Sequence, residues 1–563
     1  MTSFRFANNL EQFVETMDKN ADDTSDLELL RTFVTVIGIA AITRIVPVCW
    51  RFYKYASRTR KRPFPNIRYC APDPHWFFGH VKLIGADIIK GTKVLCVDHA
   101  SPEGVCSFWT LQCPVVSVLG LQDAQQILRS NYDRQWILRK HNAKLLGETS
   151  VALATEDTWR SNRTVFRRAF TGEAVKSATK QLIASASRVV DSIGACIDEN
   201  GGELSFDFHR LCKMATLDTF GMACFGFDFG CLANNQIRES ELYQSYEFLQ
   251  KDFIRRGYEQ RANPFAQYYC IPTFVNRKHA RVLANVRGIL GGLLQDRIDA
   301  VREAQPAEDA TCLLDHLVRS LMDSDGTISH SNSFLTDLMQ TMLAGGYDSS
   351  STALSLSCYM ICRHPQVEAI CLQEIEQVMG DADSLPLDCD PTTDLLYCCA
   401  VIYETLRMYP PIPLTSRLLS KASEVTIDGQ PVTLSRGTKI VLALCWINNH
   451  PMNFSMPEKF LPERWVKRTE AGVWEWRGGE DDDDDDNKHC GVKASDPRHL
   501  LSFSAGSRNC VGKPFALRQT ATILAFLVRK LKMGVAADYK LSFVKAGATQ
   551  SLKGGLPMTL KRR

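Results

Sequence analysis

The stretch FSAGSRNCVGKPFALRQ, residues 503–519, decides how this chain is read. Cys510 stands between two glycines, Gly506 and Gly512, and just ahead of VGKPFALRQTATILAFLVRKL, whose apolar spacing predicts a long amphipathic helix. A helix N-terminus favours negative charge, and glycines let backbone N–H groups turn inward and a flat group approach the main chain. Phe503 can shield the sulfur and Arg508 can pair with a carboxylate. A metal-bound thiolate needs deprotonation, protection from solvent and donors aimed at the sulfur, and this loop supplies all three in sequence terms.

Composition narrows the setting. The chain has 563 residues, 45% of them hydrophobic, which is enough to bury a large core, and no Pro/Gly/Ser-rich linker divides it after about residue 75. One large domain is expected. A net charge of +3 with mixed signs gives no footprint for nucleic acid. The twenty cysteines follow no framework spacing and no paired CxxC motif, so reduced thiols are expected.

Residues 32–50, TFVTVIGIAAITRIVPVCW, are apolar apart from Arg44, which can reach an interface. Six basic residues follow within 51–62, whereas the leader, 1–31, is rich in acids from Glu11 to Glu28. That asymmetry orients a membrane anchor with everything after it in the cytosol. Prolines 63, 65, 72 and 74 then make a stiff exit. The expected organisation is an acidic leader (1–31), a transmembrane anchor (32–50), a basic, proline-rich linker (51–74) and a catalytic body (75–563).

The body reads as mainly α with a minor β part. Helical spacing covers EDTWRSNRTVFRRAF, KSATKQLIASASRVVDSIGACIDEN, KHARVLANVRGILGGLLQDRIDAVREA and HPQVEAICLQEIEQVMG, and a helix of about 30 residues, roughly 45 Å, runs from Ser331 to Arg363. Strands are clearest at EVTIDGQPVTL, a hairpin about Asp428–Gly429, and at TKIVLALCW. The acids Glu480 to Asp486 form the one low-complexity run, inside a segment, about 466–498, read as an insertion with a solvated loop.

The cysteine stretch resembles the haem-binding signature of the cytochrome P450 family, F-x-x-G-x-R-x-C-x-G, through Phe503, Gly506, Arg508, Cys510 and Gly512. Four further constellations stand in family order. Glu404 and Arg407 in VIYETLRMYPP resemble the E-x-x-R pair, joined by Arg464 of FLPERW into a structural triad, with Trp465 where the family usually has Phe. Gly345, Gly346, Tyr347, Asp348 and Ser349 resemble the A/G-G-x-D/E-T groove for dioxygen and its acid–alcohol pair. Serine replaces the usual threonine there, which keeps the hydroxyl and loses the methyl that restricts rotation. Trp159 and Arg163 resemble the W-x-x-x-R helix that faces a haem propionate. Arg417, after Pro410 and Pro411, resembles a second propionate-binding arginine, with Ile412, Leu414 and Thr415 facing substrate.

The resemblance implies a P450 fold holding haem b, iron protoporphyrin IX, with Cys510 as the metal ligand, and a monooxygenase that inserts one atom of O2 into a lipophilic substrate. It also implies electrons from an NADPH-cytochrome reductase, with cytochrome b5 as a second donor, at the endoplasmic reticulum membrane. The chain has no nicotinamide or flavin fingerprint, since GILGG at 288–292 follows no strand. Two other classes stay open on the residues: a haem-thiolate isomerase or dehydratase acting on peroxides, which the Asp348–Ser349 pair argues against, and a non-catalytic haem sensor or scaffold. The acidic run adjoins the expected reductase-docking face and is expected to swing clear of it. Substrate identity is not written in any motif.

Overall fold

The computed structural model describes residues 63–64, 66–71, 80, 88–110, 113–130, 143, 145–154, 156–259, 269, 273–303, 311–477, 497–546 and 549–563. The leader, the 32–50 anchor and the 480–486 acidic run lie outside the described residues. Among the described residues no helix is long and apolar enough to cross a membrane.

The chain enters the body at Ile67 and Ala71, both buried, and Cys70 makes a parallel bridge to Ser107. In chain order the helices used below are α1 (Ile88–Cys96), α2 (Leu121–Ser130), α3 (Glu156–Arg168), α4 (Gly172–Glu199), α5 (Phe208–Phe220), α6 (Glu241–Glu259), α7 (Phe274–Glu303), α8 (Leu313–Leu321), α9 (Asn332–Arg363), α10 (Pro365–Met379), α11 (Leu396–Met408) and α12 (Lys513–Lys530). The four helical readings coincide with α3, α4, α7 and α10. Strands β1 (Val105–Thr110), β2 (Cys113–Val118), β9 (Lys439–Leu442) and β6 (Thr415–Leu418) form one sheet in the order β1-β2-β9-β6, with β2 parallel to β9 and the other pairs antiparallel. The hairpin about Asp428–Gly429 is β7 (Ser423–Ile427) and β8 (Gln430–Leu434). TKIVLALCW is strand only as far as Leu442; Leu444–Ile447 turns into helix, because a continuous apolar run carries no period of its own.

A second, helical core surrounds α9, which packs on α5, α7, α11 and α12, while α12 also lies on α4 and α10. The Ser331 hydroxyl caps α9 by accepting the Phe334 N–H at 3.3 Å. Its adjacent glycines have different causes. A Cβ at Gly346 would meet the Phe220 ring of α5 at 2.2 Å, so close helix packing demands that glycine. A Cβ at Gly345 would meet nothing within 4 Å, although α9 is buried along most of its length. Thr341, Gly345 and Ser349, four residues apart, form an accessible stripe on this helix.

The insertion begins as a hairpin, β10 (Val466–Arg468) with β11 (Trp474–Trp476), and packs Trp474 against Tyr397 and Trp476 against Tyr403 of α11 in tilted ring contacts. Under it, Glu404 is fully buried and takes five donors. Oε1 accepts Arg407 Nη2 (2.9 Å), Arg464 Nε (3.3 Å) and Leu461 N (3.1 Å); Oε2 accepts Arg407 Nε (3.0 Å) and Trp465 Nε1 (2.9 Å). Arg407 also donates to the carbonyls of Asn448 and Lys459, tying α11 to the irregular segment 448–464. Glu404, Arg407 and Arg464 are thus one buried cluster, not a surface pair, and the departure to tryptophan adds a donor that phenylalanine lacks.

Two substitutions check this packing. Gly346→Ala lowers unfolding free energy by about 1–3 kcal/mol through overpacking against Phe220, whereas Gly345→Ala meets no such clash, as denaturant titration of the two variants reads directly. Trp465→Phe costs about 1–3 kcal/mol, since it removes one donor from a buried carboxylate and keeps the ring; an unchanged denaturation midpoint contradicts the role given to the indole.

Candidate active site

The loop before α12 closes on itself through the Cys510 N–H, which donates to the Phe503 carbonyl at 2.9 Å. Gly506 has φ +70°, and a Cβ there would lie 2.4 Å from the Leu128 carbonyl oxygen and 2.7 Å from Arg129 Cα of α2. Only glycine fits, and the reason is the backbone of α2 rather than the approach of a flat cofactor. Gly512 differs. Its φ is −81°, and a Cβ would meet nothing of the chain nearer than Phe170 at 3.9 Å.

Cys510 is the one exposed cysteine among the seventeen described, all of them free thiols. Burial among neighbouring atoms pushes its thiol up; the amides of Gly512 and Lys513, at the start of α12, and the charges of Arg163 and Lys513 work in the opposite direction and favour the thiolate. The sulfur therefore sits where an anion has amide donors and two cations arranged around it, on a residue that the chain itself leaves exposed.

Every predicted residue of the cofactor set reaches this loop. Arg508, 4% exposed, lies over the Trp159 ring at 4.6 Å and donates to the Ala154 carbonyl at 2.8 Å. Arg163 donates to Asn509, the residue before the cysteine, at its carbonyl (3.0 Å) and side-chain oxygen (2.8 Å). Arg417, fully buried, donates from Nη2 to the Ser504 hydroxyl at 3.3 Å and from Nη1 to Ser416 O and Thr415 Oγ1. Phe503 lies beneath the Lys513 ammonium at 5.3 Å. Trp159 thus partners Arg508, while Arg163 holds the loop. Buried guanidinium groups call for anions, and glycines at 345 and 512 leave room that nothing of the chain fills, so the donor set fits an iron porphyrin with two carboxylates.

On α9, the acid and the alcohol go separate ways. Ser349 donates to the Gly345 carbonyl one turn back, at 2.6 Å. Asp348 is buried, with Lys213 Nζ of α5 at 3.2 Å from Oδ1 and the Thr549 hydroxyl on Oδ2. Lys213 is shared with Glu247 of α6 at 2.7 Å. The sequence reading missed Lys213, Glu247 and Thr549. Lys213 left a trace, a lone charge inside the apolar centre of HRLCKMATLDTF, but its partners lie 34 and 135 positions away.

The family model described as Cytochrome P450 matches residues 70–549. Curated relatives include cytochrome P450 4F12 of Homo sapiens, 24% identical with 88% of each chain covered, and cytochrome P450 4V2 of Mus musculus, 25% identical with 89% of this chain and 90% of that one covered. Among solved structures, that of the cytochrome P450 CYP102L1 covers 82% of this chain and 95% of its own, at 18% identity and a TM-score of 0.65, a likeness of fold. The cysteine at the head of α12, buried guanidinium groups around its loop and a family match across most of the body lead to one identification: the chain belongs to the cytochrome P450 family and is a haem-thiolate monooxygenase.

Proposed function

We propose that this monooxygenase holds haem b through Cys510 as the metal ligand and acts on a lipophilic small molecule, using electrons from an NADPH-cytochrome reductase, with cytochrome b5 as a second donor. The observation that carries the reading is the sulfur itself: the exposed cysteine among the described thiols, under the amides that open α12. Haem bound there supplies the reductive activation of dioxygen and its insertion into a C–H bond. Arg508, stacked on Trp159, and Arg163 and Arg417 pair with the propionates. Glu404, Arg407 and Arg464 keep the segment behind the loop in register for cofactor retention. Phe503 and Gly506 shape the loop, and Gly512 leaves its face open to the ring.

Gly345 provides the open notch in α9, beside the packed Gly346. Ser349 presents a hydroxyl on the accessible stripe, and Asp348 supplies protons behind it. Serine in place of threonine lacks the methyl that restricts rotation, so the hydroxyl is held only by its bond to the Gly345 carbonyl, which favours leakage of reduced oxygen over product. Ile412, 40% exposed, with Leu414 and Thr415, faces the substrate. Asp348 and Ser349, which a peroxide isomerase does not need, favour this reading over that class, and reductase-driven oxygen consumption separates it from a haem sensor. The 32–50 segment anchors the protein once in the endoplasmic reticulum membrane, the body facing the cytosol.

Two measurements test these assignments. Wild-type protein, reduced and treated with carbon monoxide, gives the absorption of a thiolate-bound haem, and Cys510→Ala loses both that absorption and reductase-driven oxygen consumption; retention of either contradicts the ligand assignment. Deleting residues 478–490 leaves reductase affinity at low salt nearly unchanged when the acidic run lies off the docking face, whereas a large gain in affinity at low salt contradicts that placement.

A further inference from the structure

Asp348 is held from two directions that belong to different parts of the fold. On one side, Lys213 bridges it to Glu247, with the three side chains only 6%, 9% and 17% exposed for Asp348, Lys213 and Glu247. Lys213 lies closer to Glu247, at 2.7 Å, than to Asp348, at 3.2 Å, and the Tyr347 hydroxyl also donates to Glu247 Oε1 at 3.3 Å. If Asp348 turns away, the ammonium keeps a carboxylate partner and is not stranded, which is the expensive outcome for a buried charge. On the other side stands one neutral contact, the Thr549 hydroxyl on Oδ2.

Thr549 opens β14 (Thr549–Leu552), which pairs antiparallel with β13 (Phe543–Ala546) near the C-terminus. The next residue, Gln550, binds the loop after α11 twice: its backbone N–H donates to the Pro411 carbonyl and its side-chain amide to the Pro410 carbonyl, both at 2.8 Å. That loop leads directly into Ile412, Leu414 and Thr415. A rigid run of two residues therefore connects the segment proposed to meet substrate with the carboxylate proposed to supply protons.

We infer that Thr549 is a positioning residue that tethers Asp348 to the substrate-facing loop, so that the carboxylate is released for proton supply when substrate displaces residues 410–415. The inference rests on the role proposed above for Asp348. While Lys213 holds Oδ1 and the Thr549 hydroxyl holds Oδ2, the carboxylate stays turned toward them. Release of Oδ2 lets it turn, take a proton from solvent and pass it inward. Without substrate the tether keeps protons from reduced dioxygen; with the tether cut, the empty enzyme runs the leak reaction NADPH + H⁺ + O2 → NADP⁺ + H2O2, with the electrons arriving through the reductase.

The test compares wild type with Thr549→Val, which keeps the shape and loses the hydroxyl, and Thr549→Ser, which restores it. Full-length holoprotein is assayed with reductase and NADPH and no added substrate, and amide hydrogen exchange of the 549–552 strand is followed by mass spectrometry. Thr549→Val is expected to raise both peroxide release and strand exchange about tenfold, the weight of one hydrogen bond to a charged group, and Thr549→Ser to return both to within about twofold of wild type. Faster exchange with unchanged peroxide release overturns the inference, leaving Thr549 a strand-stabilising residue; unchanged exchange overturns it as well, since then no tether exists. A wild type that accepts no electrons from the reductase overturns the monooxygenase assignment instead, and the exchange measurement still judges the tether.

Discussion

The loop before α12 gathers amide donors and cations around one cysteine, and the helices on either side of it are set by that arrangement. Burial alone raises the Cys510 thiol; the amides of Gly512 and Lys513 and the charges of Arg163 and Lys513 offset it. Those groups can be in place only if α12 starts at residue 513 and α3 brings Arg163 to Asn509. The placement of both helices follows from the helical core in which α12 lies between α4, α9 and α10.

The same logic recurs at two other buried carboxylates. Glu404 is saturated by five donors from α11 and the 461–465 turn, so it fixes structure and has no freedom to act. Asp348 has one cation shared with a competitor and one hydroxyl, so its position is conditional. Two buried acids thus differ in how many partners each would lose on moving.

Much of the helical frame was legible because its signals are local. The Ser331 cap and the apolar spacing to Arg363 gave α9 within a residue, and Asp428–Gly429 gave the β7–β8 turn. The β1–β2 hairpin was not legible: β1 is buried at nearly every position, so it shows no alternation to mark it as strand. In the site, residue identities were legible and partnerships were not. Trp159 and Arg163 are four apart and invite pairing, yet Arg508 from the far end of the chain takes the ring. The glycines carried the same ambiguity, since a missing side chain in sequence does not say whether protein or cofactor needs the space. Gly346 and Gly506 answer to protein, Gly345 and Gly512 do not.

The contact between Gly506 and α2 has a mechanical side. Because a glycine meets bare backbone there, no flexible side chain lies between helix and loop to absorb a displacement. The outward face of α2 is in effect the far end of a short strut whose near end stops four residues before the sulfur. A displacement of α2, by whatever docks on that face, therefore meets the loop that carries Cys510 with nothing soft between.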